Sequence, residues 1–432
     1  MGVLRLSFAL VLMSAPLSAQ DSLAVRLERI VDLPTASKRK KAALELARDK
    51  EITLDALLRE MRRFGRFEEV APGLSVATVA LPRKSGNVEA ELVLYVPSSY
   101  RPDTPSGLLV AFHGTGGSGR GMLGGWRHVA EESGLLLLAP SEAGPNEGYT
   151  FSPRERGDAM AAIRWMRRRF NVDENRVYLT GSSRGGHLAW DLALRFRDRF
   201  AAVAPMIGSP RLNIANGQNN LRYLDNVLDL PIRDLQGSKD HPYLIENLRW
   251  TFARLEKRKA ADAKLIEFPE LGHSYRLDAV DWNEFFANKR MPLFPRVVRA
   301  CVLKTESRAF WADVLSTKRP VAETFKMQMD QKAYNKLDNS GLKRFMQGEA
   351  DKRTARLEVE RTPDGGFRAK TAHVRKFRVL LVEGWLPAKA VVCSVNGKTS
   401  KRGARRSKAV LAVEFAERFD RAFLPVAELR LP

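Results

Sequence analysis

The sequence predicts an α/β protein: a mostly parallel sheet with helices on both faces, an N-terminal helical segment before it and a small β-rich region after it. Three observations predict this. LLVAF (108–112) and LLLLAP (135–140) are short continuous apolar runs, the mark of strands buried on both faces, and RVYLT (176–180) reads as a further strand. Between them lie segments with apolar residues every three or four positions, such as RGDAMAAIRWMRRRF (156–170), which read as helices. After the two prolines of MPLFPRVVR (291–299) the rhythm changes to alternating segments and turn signals, among them the Asn-Gly of AVVCSVNGK. A chain of 432 residues is also long for a single core. The expected organisation is a leader over 1–19, a helical segment over 20–70, the α/β unit over 71–295, and a basic β-rich unit over 296–432 whose role the sequence leaves open.

In chain order, MGVLRLSFALVLMSAPLSAQ has Arg5, an apolar run and small residues ending at Ala19, which is a secretory pattern with cleavage expected after Ala19. No later stretch is long and apolar enough to span a bilayer, so a secreted or periplasmic protein with no membrane span after leader removal is expected. LAVRLERIV, RKKAALELARDK and TLDALLREMRRF read as helices with solvated charged faces, the last capped by Thr53. LSVATVALP and AELVLYVP alternate like strands. GWRHVAEESG reads as a helix, AAVAPMIG, PIRDLQG and KLIEFPE as strands, and YLIENLRWTFARLEKR as the helix between the last two. PVAETFKMQMDQKAYNKL (320–337) reads as a helical stretch before the β-rich region.

Net charge is +22, and more than half of the excess lies beyond residue 300, including KTSKRGARRSK at 398–408. A solvated basic surface loop is the simplest reading; contact with a polyanion is the functional alternative. No nucleic-acid motif with stacking aromatics accompanies the charge. Cys301 and Cys393 lie in separate segments and nothing in their spacing demands a bridge. No Cys/His cluster has zinc spacing, and neither a metal nor a cofactor is expected.

The chemistry concentrates in four segments. In VYLTGSSRGGHLAW (177–190) a strand runs through Gly181-Ser182-Ser183-Arg184-Gly185 into a helix, which is the strand–turn–helix context that a G-x-S-x-G nucleophile elbow needs. Ser183 is the candidate nucleophile and Ser182 the bystander. Gly181 and Gly185 keep side chains out of the tight turn. FHGTGGSG (112–119) follows a buried strand and offers amides for an oxyanion hole, with Thr115 and Gly116 the candidates there and the Arg184 amide the other donor. His113 reads as a structural ligand of this loop. QGSKDH (236–241) puts Asp240 at a strand's carboxyl end as the orienting acid; Asp234, inside the strand, is the weaker rival. Asp191 and Asp198, on the helix after the elbow, are expected to face solvent. FPELGHSY (268–275) supplies His273 as base, with His241 a minor competitor; His128 and His187 fall in helical segments and His373 in the second unit. The chain order is Ser183, Asp240, His273. Trp126, Tyr149 and Phe151 either line the cleft or pack under a loop.

With these motifs, residues 74–290 resemble the α/β-hydrolase superfamily, and within it the secreted polyhydroxybutyrate depolymerase and feruloyl or acetylxylan esterase branch, near dienelactone hydrolases and prolyl-oligopeptidase-type peptidases. HGTGGSG, NVDENRVYLTGSSRGG, QGSKD and FPELGHSY carry the resemblance, over about half the chain. It implies a Ser183–Asp240–His273 triad and a carboxylic-ester hydrolase acting through an acyl-enzyme on acyl groups of polysaccharides or similar extracellular esters. Two departures stand out. Arg184 follows the nucleophile where Met, Gln or Ala is common, and its guanidinium is a candidate to bind an acidic substrate group. QGSKD replaces the commoner HGxxD. The alternatives are a serine peptidase of prolyl-oligopeptidase type, and an inactive hydrolase scaffold whose basic C-terminal unit grips a polyanion.

Overall fold

A nine-stranded sheet organises the middle of the chain. The computed structural model describes residues 4–5, 21–83, 86–141, 147–212, 218–327 and 329–432. The strands are β1 (Leu4–Arg5), β2 (Gly73–Arg83), β3 (Gly86–Val96), β4 (Ser106–Phe112), β5 (Leu136–Pro140), β6 (Val172–Ser182), β7 (Ala202–Met206), β8 (Ile232–Gly237) and β9 (Ala263–Phe268). Their spatial order is β1-β2-β3-β5-β4-β6-β7-β8-β9. β2 and β3 form an antiparallel hairpin, β3 meets β5 antiparallel, and β5 through β9 run parallel. The apolar runs of β4, β5 and β7 are buried almost end to end because helices cover both faces. The expected leader lies outside the described residues apart from β1, which pairs with Ser75 and Val76.

Among the helices, α1 (Leu23–Asp32), α2 (Ala36–Arg48) and α3 (Leu54–Arg62) precede the sheet; α4 (Gly119–Glu132), α5 (Pro153–Arg169), α6 (Arg184–Arg195), α7 (Pro242–Lys257) and the short α8 (Trp282–Phe285) follow successive strands. Thr53 caps α3 as expected, its hydroxyl accepting from the Ala56 amide at 3.1 Å. After β4 the chain crosses to β5 on one side; after β5 it returns to β6 on the other side of β4. The loop after β4 and the turn after β6 therefore face each other at the sheet's carboxyl edge, where strand order reverses and ligand crevices form.

Beyond Pro295 two further sheets pack face to face. One runs β10 (Arg296–Cys301), β13 (Ala355–Arg361), β14 (Phe367–Ala372), β16 (Val391–Val395), β17 (Lys398–Arg402) in space. The other runs β11 (Arg308–Ala309), β12 (Ala312–Thr317), β15 (Val374–Leu381), β18 (Ala427–Leu431). Leu357, Val359 and Phe367 from the first meet Val314, Phe377, Val379 and Leu429 from the second in one core. Helices α9 (Gln331–Tyr334), α10 (Asn339–Asp351) and α11 (Lys408–Arg418) complete this part.

Three sequence expectations are corrected here. Only residues 331–334 of the 320–337 stretch are helical; the longer helix starts at Asn339, where Asp338 caps the Gly341 amide at 2.6 Å. The basic run at 398–408 is a loop only over 403–407; residues 398–402 form the edge strand β17 and Lys408 opens α11; lysines on an edge strand discourage pairing with other chains. The N-terminal helices do more than present solvated faces: Leu27, Ile30, Leu57, Met61 and Phe64 share an apolar cluster with Leu411, Phe415 and Phe419 of α11 and its end. Cys301 and Cys393 are both buried free thiols. Among the described residues, no helix is long and apolar enough to cross a membrane.

Candidate active site

The elbow is built by steric exclusion. Ser183 has φ 54° and ψ −111°, a conformation L-residues rarely adopt, and its amide donates to the Met206 carbonyl at 2.9 Å. A Cβ on Gly181 would lie 2.3 Å from the Gly185 carbonyl oxygen, and one on Gly185 would lie 2.1 Å from that of Phe112. Both positions admit only glycine at this spacing. Gly208, just beyond β7, completes the nest: a Cβ there would meet the His187 amide nitrogen at 2.6 Å and the Ser183 oxygen at 2.7 Å. The sequence reading missed Gly208; a glycine directly after an apolar strand was its signal.

Asp240 and His273 come to Ser183 from two loops held back to back. Gly237 ends β8 so close to the next loop that a Cβ would stand 2.0 Å from the Gly272 oxygen. The Lys239 amide donates to the Leu271 carbonyl at 2.8 Å, and Ser238 to Phe268 at 2.9 Å. His273 Nδ1 lies 2.7 Å from Asp240 Oδ2, and His273 Nε2 lies 2.9 Å from Ser183 Oγ. With the ring proton on Nδ1 facing the carboxylate, Nε2 is left to accept from the serine hydroxyl. Asp240 receives two further bonds that the sequence did not reveal, from Gln236 Nε2 at 2.9 Å and from the His241 amide at 2.6 Å. Burial pushes the Asp240 carboxyl up, but the bonds from Gln236, His241 and His273 outweigh it and hold the group below the usual carboxylate range. Asp240 is nearly buried and His273 half exposed, so the imidazole is reachable from solvent while the carboxylate beside it is not.

The loop after β4 closes the other side. The Gly117 amide donates to the Gly114 carbonyl at 3.0 Å across Thr115 and Gly116, and Gly116 takes φ +71°, as the third residue of a type II turn requires. A Cβ on Gly114 would stand 3.5 Å from Ser183 Cβ, so this turn abuts the serine. His113 is buried, with Nδ1 2.8 Å from the Gly114 carbonyl, in the structural position expected. Arg184 heads α6, where helix amides point toward the same crevice.

Other sequence candidates fall elsewhere. The Arg184 guanidinium turns away from a substrate role: Nε donates to the Glu147 carbonyl at 2.6 Å and NH2 to Glu155 Oε1 at 3.0 Å. Glu155 is also the capping-box residue of α5, with Ser152 at the N-cap. Asp234 is fully buried in the core, accepts from Trp190 Nε1 at 2.7 Å, and burial pushes its carboxyl well up. Asp191 and Asp198, expected at the surface, are 0% and 3% exposed. Asp191 accepts from Tyr149, Arg156, Arg195 and Asn220. Asp198 pairs with Arg418, and although burial opposes it, Arg418 and Arg199 bring its carboxyl down to about 2. Tyr149 and Phe151 pack ring to ring at 4.4 Å, while Trp126 packs against Trp282 and Phe286. All three are buried. His241 caps α7, and His128 is exposed beside Glu132.

Residues 150–228 match a family model described as alpha/beta hydrolase fold. Among curated proteins, an acetylxylan esterase of Coprinopsis cinerea is 25% identical over 152 residues, 32% of this chain and 41% of the relative. A feruloyl esterase B of Neurospora crassa is 27% identical over 29% of this chain and 46% of the relative. A poly(3-hydroxyalkanoate) depolymerase C of Paucimonas lemoignei is 28% identical over 29% and 32%. The chain thus spans less than half the length of each of these relatives. The middle of this chain has the α/β-hydrolase fold and, within that fold, is similar to the branch of acetylxylan esterases, feruloyl esterases and poly(3-hydroxyalkanoate) depolymerases.

Proposed function

We propose that this protein is an exported serine carboxylic-ester hydrolase, acting on acyl groups carried by polysaccharides or similar extracellular esters. His273, oriented by Asp240, takes the proton of Ser183 as Oγ attacks the ester carbonyl. The amide of Arg184 and one from Thr115 or Gly116 steady the oxyanion. His273 then gives its proton to the leaving alcohol, and water activated by the same imidazole releases the acid.

The observation that carries this reading is the pair of contacts at 2.9 and 2.7 Å through one imidazole, made by three residues from three strand ends. The strained φ of Ser183 supports it, since such strain persists where the surroundings enforce it. The relatives are named for ester cleavage, which supports the substrate class. The apolar N-terminal pattern supports export.

Hydrolysis of 4-nitrophenyl acetate and butyrate by the mature chain, beside Ser183→Ala, tests the proposal. The expected result is turnover that falls at least about a thousandfold in the variant with its circular dichroism unchanged. Equal turnover by both proteins contradicts it.

A further inference from the structure

Arg211 stands beside the first turn of the elbow helix α6. It follows Gly208, the residue wedged against the Ser183 carbonyl, by three positions. Its NH2 group lies 3.2 Å from His187 Nε2, and its guanidinium carbon lies 5.8 Å from the Tyr243 ring centroid. His187 is in the first turn of α6, its amide donating to the Ser183 carbonyl at 3.0 Å. Tyr243 is in the first turn of α7, three residues past Asp240, and is 40% exposed. Arg211 therefore reaches from the elbow helix to the segment that carries the acid.

Among the described residues its charge has no carboxylate beside it. Three other arginines around the elbow each meet a carboxylate: Arg184 meets Glu155, Arg156 meets Asp191, and Arg195 meets Asp191 and Glu306. Among the described residues Arg211 meets none, and its Nε is buried without a partner. Its side-chain hydrogen bond goes to an uncharged ring. The Ser209 carbonyl and amide lie 2.8 and 3.0 Å from His187 Nδ1; because the Arg211 guanidinium can only donate, Nε2 is the acceptor and the ring proton sits on Nδ1, facing the Ser209 carbonyl. Burial, then the Arg211 charge, brings His187 down to about 4. A guanidinium partly withdrawn from water, with no anion of its own, is built to receive one, and its planar fork fits a carboxylate.

We infer that Arg211 recognises a carboxylate on the substrate, with the Tyr243 ring as a flat face beside it, so that the site prefers anionic esters such as those of uronate-bearing sugars. This rests on the serine-esterase reading above. The carboxylate belongs either to the acyl part or to the alcohol part of the ester.

Paired substrates separate the two. The acyl arm compares mono(4-nitrophenyl) adipate with 4-nitrophenyl hexanoate. The alcohol arm compares 4-acetoxybenzoate with phenyl acetate. The readout is the charged-to-neutral ratio of kcat/KM in wild type, Arg211→Gln and Arg211→Lys. The expected result is a ratio that falls about tenfold or more in Arg211→Gln in at least one arm, recovers partly in Arg211→Lys, and shrinks with salt. A ratio unchanged in both arms overturns the inference. Calorimetry on Ser183→Ala keeps the two readings apart, because it needs no turnover. Monomethyl adipate or 4-acetoxybenzoate binding more tightly than its neutral counterpart, with the difference lost in Ser183→Ala/Arg211→Gln, sustains the inference even if no ester is cleaved. Equal binding of charged and neutral ligands overturns it while leaving the esterase reading intact.

Discussion

Asp240 shows how much a single carboxylate depends on neighbours that have no chemistry of their own. Gln236 is fully buried one strand end away, and its amide is one of three groups that hold Asp240 ionised against the cost of burial. Gln236→Leu should raise the titration of the Asp240 carboxyl in a ¹³C spectrum and lower kcat about tenfold, with KM little changed. A carboxyl that titrates as in wild type would show that Gln236 only packs. Asp240→Asn should cost about 10⁴ in kcat, because an amide cannot hold the required tautomer. His187 makes stability depend on pH. Its value of about 4 lies below the unfolded value near 6.5, so the unfolded chain binds the extra proton between these limits. Stability is full above about pH 6.5, falls by ~1.4 kcal/mol per pH unit down to about pH 4, and then levels for this group. His187→Gln should remove that slope in urea titrations run from pH 7 to 4. A slope that persists would assign the acid sensitivity elsewhere. At this scale Ser183, Asp240 and His273 were legible because each stands in a recognisable turn. Gln236 and Arg211 were not, since their roles depend on neighbours 4 and 24 residues away and carry no motif.

The elements that carry the site are fixed by close backbone approach. Gly185→Ala would bring a methyl group against the Phe112 carbonyl, where backbone and not a flexible side chain must move. The expected cost is about 3 kcal/mol or more, read as a lower urea midpoint. Gly124→Ala, where nothing lies within 4 Å, should leave the midpoint unchanged or raise it. Equal effects at both positions would contradict the steric account of the elbow. The strands of the central sheet were legible because burial on both faces leaves unbroken apolar runs. Asp191 and Asp198 were misread because a polar residue on an amphipathic helix normally faces water. Here Arg156 of the neighbouring helix α5, together with Arg195, neutralises the first. Arg418 of α11 neutralises the second. An isolated helix pattern cannot display Arg156, 35 residues from Asp191, or Arg418, 220 residues from Asp198.

The regions before and after the sheet are joined to it through charges that only the whole molecule can pair. Arg195 on the elbow helix bonds Glu306 at 2.7 Å and lies 3.3 Å from Glu323. Arg222 donates to Thr354 and to the carbonyls of Ala350 and Arg353. Arg290 and Asp420 pair at 2.6 Å, both nearly buried. Removing one partner leaves the other charge buried and uncompensated, so Glu306→Gln should destabilise by about 3–5 kcal/mol in urea unfolding. A loss below about 1 kcal/mol would mean that Arg195 is satisfied without it. By the same logic a chain ended at residue 295 should lack a cooperative transition. The change of rhythm after residue 290 was legible as alternation and a hairpin signal; the ionic seam was not, because buried pairs look in sequence like any other surface charge. Covalent labelling of the intact mature chain with a fluorophosphonate, mapped by peptide mass spectrometry, tests the central claim most directly. The account predicts one adduct, on Ser183, and its loss in His273→Ala. An adduct on another residue, or one on Ser183 that forms equally fast without His273, would contradict it.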